Sequence, residues 1–120
     1  MINMSDDPAK AAYLFWKLSI IINTLDKMRE LLSRREIGNE LDIDEKAFVE
    51  NASLILRSTE VSLEATKEVI DSLVSLTAKN YFYNLYRSAK SKLGLLKDQL
   101  DIIMKENVKE KSKEEKLRGV

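Results

Sequence analysis

The carboxylates near the middle of this sequence have the spacing that a metal site on a helix would need. Glu60, Glu64, Glu68 and Asp71 recur at intervals of three or four positions, and on a helix they would fall within about 80° of one another. Hard oxygen ligands of this kind bind Mg²⁺ or Ca²⁺. The alternative is a solvated outer face on which Arg57 neutralises part of the charge, and we favour it because the row lies away from the apolar seam. The sequence therefore predicts no metal site.

A second set of residues combines positive charge with aromatic rings. Residues 79–97 include five basic residues and no acidic one, and on a helix one face would carry Lys79, Tyr83, Tyr86, Arg87, Lys90 and Lys97. Such cations could follow a phosphate backbone, and tyrosine rings could stack on unpaired bases. Residues 36–71, however, include ten acidic and three basic residues, so two neighbouring helices could instead match their charges. We favour the charge match and keep nucleic-acid binding as the alternative.

The composition gives little support to catalysis. The chain of 120 residues contains no His and no Cys, which removes the commonest general base, the Ser–His–Asp and Cys–His arrangements, and zinc–thiolate sites. Its glycines, Gly38, Gly94 and Gly119, are too far apart to form a phosphate-binding loop or a dinucleotide fingerprint. We therefore expect a protein that is not an enzyme and that uses no cofactor and no small-molecule substrate.

The elements that would carry these residues are long helices, because one Pro and three Gly provide few breaks. We predict a first helix with Asp7 as its N-cap, Pro8 in its first position and a stop at Gly38. A second helix begins at Asp42, with Glu45 completing the capping pair, and a third follows a break near residues 78–80. The first helix has the spacing of a heptad seam, formed by Ala11, Leu14, Leu18, Ile21, Leu25, Met28 and Leu32.

These patterns predict an all-α fold, an antiparallel bundle of three long helices with coiled-coil-like packing. The bundle would occupy residues 1–104. Residues 105–120 would form a charged tail that is fraying or disordered, and a short fourth helix in this tail is left open.

Two of the helices carry more apolar residues than one seam needs. Opposite the seams lie Tyr13, Trp16, Ile20 and Leu31 on the first helix and Leu95 and Ile102 on the third. A helix that is apolar on two sides is usually covered on two sides, and three helices offer too little protein for that. We therefore predict a protein–protein interface at these six positions. The alternatives are that the tail folds back over them or that they are singly exposed.

The net charge of the chain is zero, so no overall field directs it toward nucleic acid or a membrane. No stretch approaches the ~18 consecutive apolar residues of a membrane span. We expect a cytoplasmic, non-catalytic interaction module, an oligomerising or adaptor subunit of a larger assembly. Its partner would be a second copy, with a dimer favoured, or another helical protein. We expect no contact with a membrane. The richness in Lys and Glu is typical of thermophile proteins.

Overall fold

A computed structural model describes the backbone of residues 6–118 and the side chains of residues 7–106. This part of the chain contains four helices and no strand: α1 Asp6–Glu36, α2 Ile43–Glu50, α3 Ala52–Asp71 and α4 Leu76–Arg118. The predicted all-α class is confirmed. Among the residues described, no helix is both long and apolar enough to cross a lipid bilayer.

Helix α1 ends as predicted but starts differently. Gly38 has a φ of +79°, and the backbone N–H groups of Gly38 and Asn39 donate to Arg35 O at 3.1 Å and Arg34 O at 2.9 Å. This is the Schellman ending that a left-handed glycine allows. At the other end α1 begins at Asp6, so Asp7 lies within the first turn and is not its N-cap. The Asp7 carboxylate accepts instead from the backbone N–H groups of residues 74 and 75, which precede α4.

The predicted second helix is divided at Asn51 into α2 and α3. Asp42 does cap α2, because its Oδ1 accepts from the Glu45 backbone N–H at 2.7 Å. At the break, Asn51 has φ −96° and ψ 10°, and its side-chain Nδ2 donates to Ala47 O at 2.8 Å. A short amide side chain competes for backbone hydrogen bonds in this way at helix ends. The division lets α2 turn back onto α1, where Arg34 donates to Glu45 at 2.9 Å.

The predicted break near residues 78–80 is wrong, because these residues are helical and the break lies between Asp71 and Leu76. Ser72 Oγ donates to Val69 O at 2.7 Å as α3 ends. Ser75 Oγ accepts from the Ala78 backbone N–H at 3.2 Å as α4 begins. Two serines therefore terminate one helix and cap the next, as serine does well.

Contacts between side chains give the relative directions of the three long helices. Lys92 of α4 donates to Asp26 of α1 at 2.6 Å, and Gln99 donates to Glu36 at 3.1 Å. From the first of these contacts to the second, the residue number increases on both helices, so α1 and α4 are parallel. In α3 the order is reversed, because Glu64 contacts Tyr86 whereas the earlier Glu60 contacts the later Lys97.

The core lies between α1, α3 and α4 and contains the predicted seam of α1. Leu14, Leu18, Ile21, Leu25, Met28 and Leu32 are all buried, and Ala11 packs against them. From α3 and α4 the core receives Leu56, Leu63, Ile70, Phe82, Ala89, Leu93, Leu96, Leu100 and Ile103. Two buried threonines of α3 satisfy their hydroxyl groups within the helix, Thr59 on Ile55 O and Thr66 on Leu63 O.

The backbone of residues 105–118, for which the sequence predicts a charged tail, continues helix α4 to Arg118. The structure extends 77 Å along its longest axis and 23 by 18 Å across it. Side chains from residue 107 onward and residues 119–120 lie outside the described part of the chain. The division of the chain into a bundle and a separate tail stays a prediction.

Candidate protein interface

The N-terminal half of α1 exposes a compact group of large apolar side chains, Tyr13, Trp16 and Ile20, which we call the aromatic face. Trp16 is 58% exposed, and Tyr13 and Ile20 are 39% and 43% exposed. At about 100° per residue the three lie within about 60° of one another, on the side opposite Leu14 and Leu18, which are fully buried. These three predicted interface residues are therefore brought together on an accessible surface.

The two rings of the aromatic face are in contact with each other. The centroids of Tyr13 and Trp16 are 6.4 Å apart with planes inclined at 55°, within the range of favourable aromatic pairs. Lys17 Nζ lies 5.8 Å from the Trp16 ring centroid, a distance at which a cation is attracted to the face of an indole. Such contacts reduce the side-chain freedom that binding would remove, which favours association.

Leu31 does not belong to this surface, and its place in the predicted interface is corrected. Leu31 is 1% exposed and part of the core. Arg34, one turn further along the same side of α1, makes an ion pair with Glu45 of α2, so α2 lies against this part of α1. Leu31 was predicted to lie in the exposed interface because the break at Asn51, which allows α2 to pack here, was not predicted. The second apolar side of α1 is thus covered near its C-terminus and open near its N-terminus.

Leu95 and Ile102 are exposed, as predicted, but lie apart from the aromatic face. The Lys92–Asp26 contact places this part of α4 beside the second half of α1. Asp26 is ten residues beyond Trp16, a separation of about 15 Å along a helix. Leu95 borders a groove of about 320 Å³ between α1 and α4, lined also by Leu25, Asp26, Arg29, Ser33, Lys92, Leu96 and Gln99. Of the six predicted positions, five are exposed and lie in two separate regions, and one, Leu31, is buried.

Several exposed apolar residues near the start of α1 were missed by the sequence analysis. Phe15, Val74, Leu76 and Tyr81 are all more than half exposed. Val74 was assigned to the interior of a helix but lies in the α3–α4 loop, where it borders an apolar groove of about 400 Å³ with Pro8, Ala11 and Ala78. A stronger weight on Ser72 and Ser75 as end signals would have placed Val74 in a loop.

The basic and aromatic residues predicted on α4 contact the acidic side of α3. The hydroxyl of Tyr83 donates to Asp71, and that of Tyr86 donates to Glu64 at 2.9 Å. Lys90 Nζ lies 3.8 Å from Glu64 Oε1, and Lys97 pairs with Glu60. This is the charge match between neighbouring helices that the sequence analysis favoured.

The remaining members of the basic set are placed differently. Arg87 is exposed and stacks over the Tyr83 ring, with its guanidinium carbon 5.7 Å from the centroid. Hydrogen bonds from the backbone of Val74 and then Ser75 lower the pKa of the Asp7 carboxyl, and the charge of Lys79 contributes in the same direction. Tyr86 is buried, 5% exposed, so its ring cannot stack on a base. Burial, followed by the hydrogen bond to Glu64, raises the pKa of the Tyr86 hydroxyl.

Three of the four carboxylates considered for a metal site contact α4 instead. Glu60, Glu64 and Asp71 each contact a Lys or a Tyr of that helix. Within the described side chains, no three carboxylates converge closely enough to hold a metal ion. The row on α3 therefore contributes to helix–helix contact.

Comparison of the chain with protein-family models, with curated proteins and with solved structures finds no match. The surface of the protein, above all the aromatic face of α1, is therefore the basis for a functional proposal.

Proposed function

We propose that this protein is a non-catalytic interaction module that binds another protein through the aromatic face of α1. Its fold would be a three-helix bundle with coiled-coil-like packing, in which α3 is antiparallel to α1 and α4. The observation that carries the proposal is the exposure of Trp16 beside Tyr13 and Ile20 on a helix whose other side is fully buried. Trp and Tyr are enriched among the residues that dominate binding energy at interfaces. A contiguous exposed group of this kind, rimmed by polar residues, is typical of an interaction site.

The interpretation as a binding surface is favoured over incidental exposure for a geometric reason. Single exposed apolar residues are common in soluble proteins, and Val61 on the outer side of α3 is of that kind. The aromatic face differs because its members are adjacent and two of its rings contact each other. A second, separate contact at Leu95 and Ile102 remains a prediction. A partner bound at the aromatic face would have to be extended to reach these residues as well.

The experiment that tests this function is the substitution Trp16→Glu, with Val61→Glu as the matched control on another exposed apolar residue. We expect Trp16→Glu to abolish self-association or binding of the natural partner while the circular dichroism spectrum stays helical. Light scattering measures the mass of the protein alone, and co-purification from its native cells measures the partner. Unchanged mass and unchanged partner binding in a folded Trp16→Glu variant would contradict the proposal.

The nucleic-acid alternative has less support. Of its six residues, Tyr83, Tyr86, Lys90 and Lys97 are engaged with carboxylates of α3. A phosphate would have to compete with these carboxylates for the same cations. Arg87 is exposed for such a contact, but one cation supplies little of the electrostatic affinity that backbone binders use. Nucleic-acid binding therefore stays a prediction.

A further inference from the structure

One part of the second apolar side of α1 is already covered by another element of the same chain. Near Leu31 it is covered by α2, a helix of eight residues. The side of α2 that is at least partly buried comprises Glu45, Phe48 and Val49, which is a carboxylate followed by an apolar pair. The carboxylate pairs with Arg34 of α1 at 2.9 Å. A short acidic amphipathic helix therefore packs on this side of α1 where it is covered.

The uncovered half of the same side of α1 carries positive charge, which is complementary to an acidic helix. Residues 8–25 of α1 contain Lys10 and Lys17 and no acidic residue. Lys17 lies over the Trp16 ring, and the exposed Lys27 follows Ile20 two turns later on the same side. On this side the first acidic residue is Glu30, beyond Lys27. The aromatic face is thus an apolar surface with a basic rim.

This rim decides between the two partner classes that the surface could take. In a symmetric dimer the same patch meets itself, so a contact centred on the aromatic face would bring the Lys17 side chains of the two copies close together. Like charges facing each other at an interface are unfavourable. A helix with acidic flanks meets no such repulsion, and it repeats the pairing that Glu45 makes with Arg34.

We propose that the aromatic face of α1 is a docking site for an amphipathic helix of another protein, a helix that presents apolar residues to Trp16 and Ile20 and carboxylates to Lys17 and Lys27. This inference rests on the proposed function and specifies its partner. The helix lies on α1 as a continuation of the surface that α2 covers. Apolar contact supplies the affinity, and the lysines select acidic over basic helices.

The test is a selection experiment on the full chain. The protein is immobilised and presented with a displayed library of helical peptides that have a constant apolar stripe and flanking positions randomised among Glu, Gln and Lys. We expect Glu to be enriched at the flanks. On the variant Lys17→Glu/Lys27→Glu we expect Lys to be enriched instead, whereas the control Lys46→Glu/Lys105→Glu, with the same change in net charge at exposed sites elsewhere, keeps the preference for Glu.

A selected peptide provides a second measurement, because Trp16 is the only tryptophan of the chain. Its binding should shift the Trp16 emission to shorter wavelength as the indole leaves water. Replacing Trp16 by Ser should weaken binding on the order of thirtyfold, as truncation of an anchoring aromatic does. Enrichment that ignores charge, or that is the same on both double variants, would overturn the inference, and so would the absence of any binder.

Sedimentation and Trp16 emission measured over a range of protein concentrations separate this inference from the function on which it rests. Self-association that buries Trp16 would refute the acidic helix as occupant and leave the aromatic face as an interface between two copies. Absence of both binders and self-association would contradict the docking site and the proposed function together.

Discussion

The carboxylate of Asp7, in the first turn of α1, accepts a hydrogen bond from the backbone N–H of Ser75 at 2.9 Å and so ties the start of α1 to the start of α4. Its other oxygen accepts from the Val74 N–H at 3.0 Å. These hydrogen bonds, to Val74 first and then Ser75, lower the pKa of Asp7 below its usual 3.8, and Lys10 and Lys79 act in the same direction. A loop that follows α3 is thereby fixed against the chain's first helix.

This relationship predicts a pH-dependent effect of Asp7→Asn. A carboxyl whose pKa is lowered by folding stabilises the protein above its unfolded pKa, and that stabilisation is lost as the pH falls through the folded pKa. We expect Asp7→Asn to lower the Tm by more at pH 7 than at pH 2, because the stabilisation decreases as the carboxyl of the folded protein becomes protonated. The exposed Asp98 provides the control Asp98→Asn. Equal effects of Asp7→Asn at both pH values would contradict this account.

The part of the fold that the sequence predicts is the part that local periodicity determines. The heptad seam of α1 is buried from Leu14 to Leu32, and Gly38 ends the helix with the geometry expected of a glycine. Both follow from interactions within about one or two turns of a helix. Trp16 was placed on the open side of α1 by the same angular argument, and the structure places it there.

The parts that were missed depend on contacts distant in sequence. Asn51 divides a continuous apolar pattern, and the resulting helix α2 is held on α1 through Arg34, which periodicity within one helix does not reveal. Leu31 is buried for that reason. Asp7 was expected to cap its own helix, but its carboxylate is used by a loop more than sixty residues away. Such contacts form only when the helices pack together, so the pattern of residues within one helix does not predict them.

Tyr86 provides a test of the contact between α3 and α4. The substitution Tyr86→Phe removes the hydroxyl that donates to Glu64 at 2.9 Å. We expect it to lower the free energy of unfolding by about 0.5–1.5 kcal/mol, the usual net value of one hydrogen bond. Urea unfolding measures the change. The control is Tyr81→Phe, whose ring is half exposed and which should change the stability little.

The same residue predicts behaviour at alkaline pH. Burial and the neighbouring Glu64 raise the pKa of Tyr86 above its usual 10.0. The unfolded chain therefore loses this proton first, and the stability that Tyr86 contributes falls as the pH rises through the folded pKa. Between pH 9 and pH 11, wild type should lose more stability than Tyr86→Phe. Parallel losses in the two proteins would show that Tyr86 ionises as freely when folded as when unfolded.

Two glycines predict opposite effects of the same substitution. Gly94 lies inside α4, and a Cβ at this position would meet nothing within 4 Å. Gly94→Ala should therefore raise the free energy of unfolding by about 0.5–1 kcal/mol, the difference in helix propensity. Gly38 also has free space around it, but its φ of +79° strains any other residue, so Gly38→Ala should destabilise the protein. A destabilised Gly94→Ala would indicate that α4 does not form a regular helix there.

The basic side of α4 gives different predictions under charge matching and under nucleic-acid binding. Lys97 pairs with Glu60 across the α3–α4 contact, so Lys97→Glu places two carboxylates together. We expect a loss of up to about 1 kcal/mol in stability, since both side chains are partly exposed, and recovery in the exchange Glu60→Lys/Lys97→Glu. Arg87→Glu, at an exposed site stacked on Tyr83, should cost less.

Fluorescence anisotropy of labelled single-stranded and double-stranded oligonucleotides, titrated at two salt concentrations, provides the deciding measurement. If the charges of α4 only match those of α3, no salt-dependent binding of the oligonucleotides is expected, because the carboxylates of α3 already neutralise Lys90 and Lys97. Nucleic-acid binding predicts affinity that falls steeply with added salt and that Arg87→Glu reduces without unfolding the protein. The exchange Glu60→Lys/Lys97→Glu separates the two further, since it conserves the pair and the net charge while it moves one cation from α4 to α3. A salt-dependent affinity that this exchange leaves intact would come from cations other than Lys97, with Arg87 as the first to test.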